Sequence, residues 1–494
     1  MPPFLLNVKM KSIFFQSVSF QSKINGRVLL NDITSSFSAG SFSVVTGHSG
    51  SGKSMLLRCI NGLVPRRFPG LLSGSITLEA TSISDYSESQ LWKIVGSVFQ
   101  EPERQFVSLN PREEISFSLL NEGLCCIEVN KKVTEIAEVL QISHLLNRDI
   151  DTLSGGEKQK VAIASILVSD PEILLLDEPI ASLDNKASRS IVSLLQGLNK
   201  ESKTIVCAEH RTQPFKDAGV ETFLQLSNGR LLDSMLISST STHEPSNISS
   251  TSPHYSLKQK ALITFNSVFY SISGDSILEN INLSIYPGDV VSLIGRNGAG
   301  KSTLLKHFIG LIRPSSGSIV LDDDDIATMT VAELSQLVGY VCQSPSSMIF
   351  SETVRDEIRF GLTNRYKEAN LVGERLNKAA SQFSLNEYLD TNPMLLSVGQ
   401  KKLVCAAAIT ALEPRCIFVL DEPTASLDQI SSEKLFSTII NNLGNRAIIF
   451  SSHNIEEVRR YSNRTIILDR GRIAEDLSTC HDLSDRVLQK YDLL

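Results

Sequence analysis

The string GHSGSGKS at residues 47–54 returns as GRNGAGKS at 295–302. Each copy follows an apolar run that reads as a strand, SFSVVTG (41–47) and DVVSLIG (289–295). A G-x-x-x-x-G-K-S loop between a strand and a helix brings backbone N–H groups close to a phosphate, and the helix N-terminus adds favourable partial charge. The repetition extends beyond the loops. Lys53 and Lys301 stand 248 residues apart, Gln100 and Gln343 243, Ser154 and Ser397 243, Asp177 and Asp421 244, and His210 and His453 243. Landmarks in one order at nearly one spacing predict a duplicated domain, with a period too long for a solenoid.

The boundaries follow from composition. We expect a first domain over 12–233, a second over 261–476, and a tail over 477–494 that includes a short helix. The Ser/Thr-rich stretch 234–260 carries little to bury and reads as a flexible linker. At 494 residues, each half is long enough to build its own core. Short apolar runs ending in acids, EILLLDEP (172–179) and CIFVLDEP (416–423), suit buried parallel strands, as do TIVCAEH (204–210) and AIIFSSH (447–453). The fold class is therefore α/β, with two tandem phosphate-loop domains.

Net charge is −7, which argues against bulk attraction to nucleic acid. No run approaches the roughly 18 apolar residues of a membrane helix. The first 30 residues show no signal-peptide pattern, so a secretory route is not expected. Eight cysteines include no C-x-x-C pair, and they read as free thiols, most of them buried.

The loops supply the first candidate ligands: Gly47, Ser49, Gly50, Gly52, Lys53 and Ser54, then Gly295, Asn297, Gly298, Gly300, Lys301, Ser302 and Thr303. Lys53 and Lys301 should reach the terminal phosphates, and Ser54 and Ser302 should ligate Mg²⁺. Asp177 and Asp421 end apolar strands, where a carboxylate can hold Mg²⁺ through water, and Glu178 and Glu422 beside them can polarise an attacking water. In LSGGEKQK (153–160), Ser154 and Glu157 form the pattern of a helix capping box; Ser397 and Gln400 repeat it. A capped helix start also offers its hydroxyl and backbone to an anion, which adds Ser154, Gly155, Gly156, Ser397, Gly399 and Gln400 to the candidates. His144 and His307 receive no role.

Phosphate loop, glutamine loop, LSGGE, LLLDEP, ASLD (181–184) and strand-end histidine together resemble the ATP-binding cassette ATPases, in both halves, from about 14 to 232 and 263 to 475. The resemblance implies tandem P-loop NTPase domains, each with a mostly parallel sheet, an antiparallel β subdomain and a helical subdomain. It implies ATP and Mg²⁺ as cofactors, Gln100 and Gln343 as sensors of Mg²⁺ and water, and His210 and His453 as switches at the γ-phosphate. It also implies composite sites, with Lys53, Asp177 and Glu178 served by the signature at Ser397, and Lys301, Asp421 and Glu422 by that at Ser154. The second signature departs from the pattern: Val398 replaces Gly155 and adds β-branched bulk, and Leu403 replaces Lys160. We expect the Lys301 site to hydrolyse faster. The family's adenine-stacking tyrosine is also missing, since Ser22 and Ile272 stand in its place, with Phe20 or Tyr270 as possible substitutes.

FQEPERQF (99–106), REEISFSLLNEG (112–123), NGLVPRRFPGLLSGSI (61–76) and AEHR (208–211) resemble the fused two-cassette ATPases of energy-coupling-factor and cobalt-type importers. That branch implies a transmembrane coupling subunit, a small substrate-binding membrane subunit, a vitamin, precursor or transition-metal cargo, and a peripheral place on the cytoplasmic face of the cell membrane. Docking acids would be Glu101, Glu103, Glu113 and Glu114 in the first half and Glu352, Asp356 and Glu357 in the second. Fused sugar-importer ATPases lack the PExQ pattern. Two-cassette translation factors usually carry a long charged helical linker, and repair ATPases carry zinc-bearing insertions. No nucleic-acid partner is expected.

Overall fold

The computed structural model describes residues 11–23, 26–48, 50–181, 183–233, 260–272, 274–478 and 482–493. The chain divides into two compact units, 1–241 and 242–494. The linker expected over 234–260 lies, except for Lys260, outside the described residues, as do Ser49 and Cys480.

In the first unit a six-stranded sheet runs in the order Arg230–Asp233, Thr222–Ser227, Phe42–Thr46, Thr204–Ala208, Ile173–Asp177, Val95–Val98. All its pairings are parallel except the outer pair Thr222–Ser227 with Arg230–Asp233. Every residue of Ile173–Asp177 and of Thr204–Ala208 is buried, as expected of strands covered on both faces. A separate four-stranded antiparallel sheet contains Ile13–Ser22, Val28–Phe37, Gly70–Leu78 and Thr81–Ser82. Helices Pro111–Asn121, Cys126–Val139 and Gly155–Leu167 make the helical part. One apolar cluster joins the antiparallel sheet and helix Lys53–Ile60 to one face of the main sheet; a second joins the helical part to the other.

The second unit repeats this plan. Its main sheet orders Val338–Val341, Ile417–Leu420, Ala447–Ser451, Val290–Ile294, Arg464–Asp469 and Arg472–Leu477, antiparallel only at the last pair. Its helices Val354–Arg365, Ala369–Gln382 and Val398–Leu412 match the first set. In the aspartate run 322–325, Asp322 and Asp323 make the turn between strand Ser316–Leu321 and the short strand Asp324–Asp325. The tail forms the helix Asp485–Lys490, and Leu483, Leu488 and Leu493 bury themselves in the second unit's core. Sequence reading anticipated the helix but not its burial.

Register explains why the candidate residues meet. In the first unit Val45 pairs with Ala208, and Ala208 with Asp177, so the carboxyl ends of three neighbouring strands line up. The phosphate loop, Asp177–Glu178 and His210 leave that one edge together, the usual place for ligands in open parallel sheets. Leu293, paired with Ser451, repeats the alignment. No helix among the described residues is long and apolar enough to cross a membrane.

Candidate functional site

Each glycine loop is fixed by local sterics. Gly52 and Gly300 adopt left-handed φ values of 108° and 100° directly before their helices. A β-carbon on Gly47 would lie 2.2 Å from the carbonyl oxygen of Leu226, and one on Gly295 would lie 2.3 Å from that of Leu468. Only glycine tolerates that backbone approach. Lys53 and Lys301 begin helices Lys53–Ile60 and Lys301–Phe308 with their side chains buried. Their ammonium groups bend back over the loop: Lys53 Nζ donates to the carbonyls of Gly47 (2.9 Å) and His48 (3.2 Å), and Lys301 Nζ to those of Gly295 (2.7 Å) and Arg296 (3.1 Å).

Both catalytic candidates sit in the same bracket. Gln100 Nε2 donates to Glu178 Oε2 at 2.7 Å, and Gln343 Nε2 to Glu422 Oε2 at 3.1 Å. On the other oxygen, His210 Nε2 lies 3.2 Å from Glu178 Oε1, and His453 Nε2 3.2 Å from Glu422 Oε1. In the first unit Lys53 Nζ also lies 3.0 Å from His210 Nε2. The structure therefore gathers glutamine, glutamate, histidine and loop lysine within a single cassette.

Electrostatics set the aspartates apart. Burial, then the charge of Glu178, pushes the Asp177 carboxyl up to about 6 against the pull of Ser54, Arg58 and Lys53. Asp421 is also raised by burial, opposed by hydrogen bonds from Ser451 and Ser302. Burial would raise Glu422 too, but the hydrogen bond from His453 and the charges of His453, Lys301 and Lys402 outweigh it and hold it low. Asp177 Oδ1 is buried without a partner among the described residues, beside the Ser54 hydroxyl. An orphaned carboxylate oxygen next to a serine hydroxyl fits a Mg²⁺ ion whose other ligands are phosphate oxygens and water. Ser302 and Asp421 offer the same donor pair.

Ser154 and Ser397 cap their helices as the sequence predicts. Ser154 Oγ accepts from Glu157 N (3.4 Å) while Glu157 Oε2 accepts from Ser154 N (2.8 Å). In the second unit Ser397 Oγ accepts from Gln400 N (3.2 Å) and Gln400 Oε1 from Ser397 N (3.0 Å). Val398 does not disturb this helix start. Gly155, Gly156 and Gly399 lie in the first turns. Gly50, Gly298, Asn297 and Thr303 stand in or directly after the loops.

Three expectations need correction. Phe20 is 1% exposed in the core, and Tyr270 packs edge-on against His307 at 5.1 Å, so both rings are committed to packing rather than to stacking on a base. Glu114 is buried, and its Oε2 accepts from Val107 N and Ser108 N, both at 2.9 Å. Glu357 does the same for Phe350 N (3.1 Å) and Ser351 N (2.9 Å). These two acids pin the loop before their helix and are not docking groups. Sequence reasoning also missed Lys402, Ser451, Glu209 and Arg211, all of which line the back of the two brackets. For Lys402 the available signal was the pair of lysines that opens a long apolar stretch of helix, KKLVCAAA (401–408).

Residues 30–181 and 278–425 match the ABC transporter family. The chain belongs to that family. A protein of Vibrio vulnificus (strain CMCP6) named "Putative ABC transporter ATP-binding protein" is 32% identical over 94% of this chain and 89% of its own length. One of Methanosarcina acetivorans with the same description is 34% identical, over 90% and 87%. Among solved structures, CbiO1 from Clostridium perfringens, described as part of the ABC transporter complex CbiONQ, aligns at 29% identity and a TM-score of 0.43, covering 48% of this chain and 96% of that one. This ABC protein thus carries tandem ATP-binding cassettes, and its family implies ATP hydrolysis with Mg²⁺.

Proposed function

We propose that this ABC protein is the ATP-hydrolysing subunit of an energy-coupling-factor importer, driving separate membrane subunits that carry a vitamin, a vitamin precursor or a transition-metal ion. The observation that supports hydrolysis is the complete glutamine–glutamate–histidine bracket in both cassettes, since a cassette kept only for binding has no need of a positioned base; the importer branch rests on the resemblance of FQEPERQF and its neighbouring segments. Glu178 and Glu422 take a proton from the attacking water as its oxygen bonds to the γ-phosphorus and the bond to the leaving ADP oxygen breaks. Gln100 and Gln343 hold one carboxylate oxygen and fix the plane of the group that is to meet the water. His210 and His453 orient the carboxylate from the far side, within reach of the transferred group. Lys53 and Lys301 exchange loop carbonyls for phosphate oxygens. Mg²⁺, held through Ser54 and Asp177 or Ser302 and Asp421, supplies neutralisation of the charge that develops on the phosphates. The pairing of each loop with the other cassette's signature belongs to the same proposal and rests on the sequence resemblance.

The partner reading has support of its own. Val107 is 66% exposed and Leu109 77%, beside half-exposed Phe117 and Leu120. The repeat places Phe350, 63% exposed, against Phe360, with ring centroids 4.7 Å apart. Apolar groups this exposed, rimmed by Glu103 and Glu113 in one cassette and Glu352 and Asp356 in the other, suit a membrane subunit presenting apolar and basic side chains. Purification from membranes with identification of the associated hydrophobic subunits tests this. Phe350→Asp and Val107→Asp should release those subunits without loss of ATP binding. Recovery with ribosomes instead would end the importer reading.

A further inference from the structure

Glu178 and Glu422 share a strained backbone, with φ of 50° and 45°. A non-glycine residue there costs about 1–3 kcal/mol and persists only where its surroundings over-determine it. The two cassettes supply that restraint differently. The N–H of Glu178 donates to the backbone carbonyl of Ala208 at 2.8 Å, and its carbonyl receives Ala181 N at 3.3 Å. In the second cassette Ser451 stands where the first has Ala208, and Lys402 where it has Gln159. The N–H of Glu422 donates to Ser451 Oγ (2.8 Å), which itself donates to Asp421 Oδ1 (2.7 Å). The Glu422 carbonyl accepts from Ala425 N (3.3 Å) and, much closer, from Lys402 Nζ (2.6 Å).

Lys402 is 2% exposed, an expensive place for an ammonium group unless it is bonded. Its counterpart Gln159 is also buried, yet Gln159 Nε2 has no hydrogen-bond partner among the described residues. We propose that Lys402, acting with Ser451, is a positioning residue that clamps both sides of the Glu422 peptide and so keeps its carboxylate aimed between Gln343 and His453. A charge-assisted hydrogen bond is stronger than a neutral one, so the second cassette holds its base more rigidly than the first. This rests on the reading of Glu422 as the catalytic base.

The full chain carrying Glu178→Gln isolates hydrolysis at Glu422. Residual ATPase that survives a further Glu422→Gln would sink the base assignment before any Lys402 variant is made. With that control passed, Lys402→Gln, which installs the first cassette's residue, and Lys402→Met should each lower kcat about 10-fold, the scale of a small misplacement of a reacting group. KM for ATP and nucleotide affinity should not change. Ser451→Ala should give the same split with a smaller loss and an unchanged Mg²⁺ requirement, and it decides the matter if the Lys402 variants do not fold; a raised Mg²⁺ requirement would assign its effect to Asp421 and overturn the clamp. A crystal structure of Lys402→Gln should show the Glu422 carboxylate displaced from its place between Gln343 and His453, with the backbone still in the left-handed region as at Glu178. Unchanged kcat with a lowered melting temperature, or a raised KM at constant kcat, would overturn the proposal and leave Lys402 a packing residue.

Discussion

The two cassettes present the same face to a nucleotide and different backs. In front, lysine, glutamine, glutamate and histidine match almost atom for atom. Behind the glutamate, the first cassette places fully buried Glu209, whose carboxylate accepts from Ile180 N (3.2 Å) and His210 N (2.6 Å), and Arg211, which donates to the carbonyls of Ile180 (3.2 Å) and Leu183 (3.0 Å). The second places Ser452 and Asn454 there and works through Glu457, which accepts from Thr424 Oγ1 at 2.6 Å and Ser452 Oγ at 3.2 Å. A duplicated site thus keeps the proposed nucleotide-facing residues and varies the atoms that support them. Support can be built from any donor of the right reach, whereas contact with a phosphate cannot.

The sharpest way to break this comparison is to remove the bases one at a time. Glu178→Gln and Glu422→Gln should each cost their own site about 10²–10⁴-fold in hydrolysis. If the proposed clamp at Lys402 and the proposed pairing with the Ser154 signature both hold, steady-state ATPase should fall further for Glu422→Gln. Equal losses would erase the functional difference between the halves.

Next comes packing. Phe436 stacks on Tyr461 at 4.3 Å and meets Phe450 edge-on at 4.9 Å, while the first cassette offers Val192 and Cys207 at the positions of Phe436 and Phe450. Phe436→Ala should cost about 3–5 kcal/mol in chemical denaturation, and Val192→Ala clearly less. Similar costs would show that the aromatic cluster adds nothing particular to the second unit.

Burial, then the charge of Glu178, raises the Glu209 carboxyl from 4.5 to about 7. The folded state holds this proton more tightly than the unfolded chain. Stability is therefore full below the unfolded value and is lost as pH rises from 4.5 towards 7, by at most about 3 kcal/mol. Melting curves at pH 5 and pH 8 should show a smaller drop in Glu209→Gln than in the parent. Parallel drops would mean that Glu209 contributes nothing to the pH response.

The smallest effect is the most symmetrical. Ser154→Ala and Ser397→Ala each remove a helix cap and should cost about 1 kcal/mol in either unit. Matched losses of stability beside unmatched losses of activity would assign the difference to nucleotide contact rather than to the helix start.

Much of the site was legible because its causes are local. A glycine before a lysine at a helix start, an acid at the end of an apolar strand and a serine three residues before Glu or Gln all write their geometry into a few consecutive positions. The duplication then lent each reading a second witness. Glu114 and Glu357 were misread because their partners are backbone N–H groups six and seven residues back in an irregular loop, where no local pattern such as a capping box marks the bond. The choice of Phe20 or Tyr270 as a stacking ring stayed open in the sequence because which face of a strand meets the core depends on the sheet packed behind it.

Sequence alone determined the repeated cassettes, the strand-loop-helix order and the candidates for phosphate contact, since sterics and charge at short range allow few other answers. Only tertiary structure decided that Gln100 and His210 close on Glu178, that Gln343 and His453 close on Glu422, and that Lys402 reaches the carbonyl behind it. Those contacts span 20 to 79 residues of chain. They exist because parallel strands bring their carboxyl ends to one edge, and the pairing register that does so is a property of the assembled sheet.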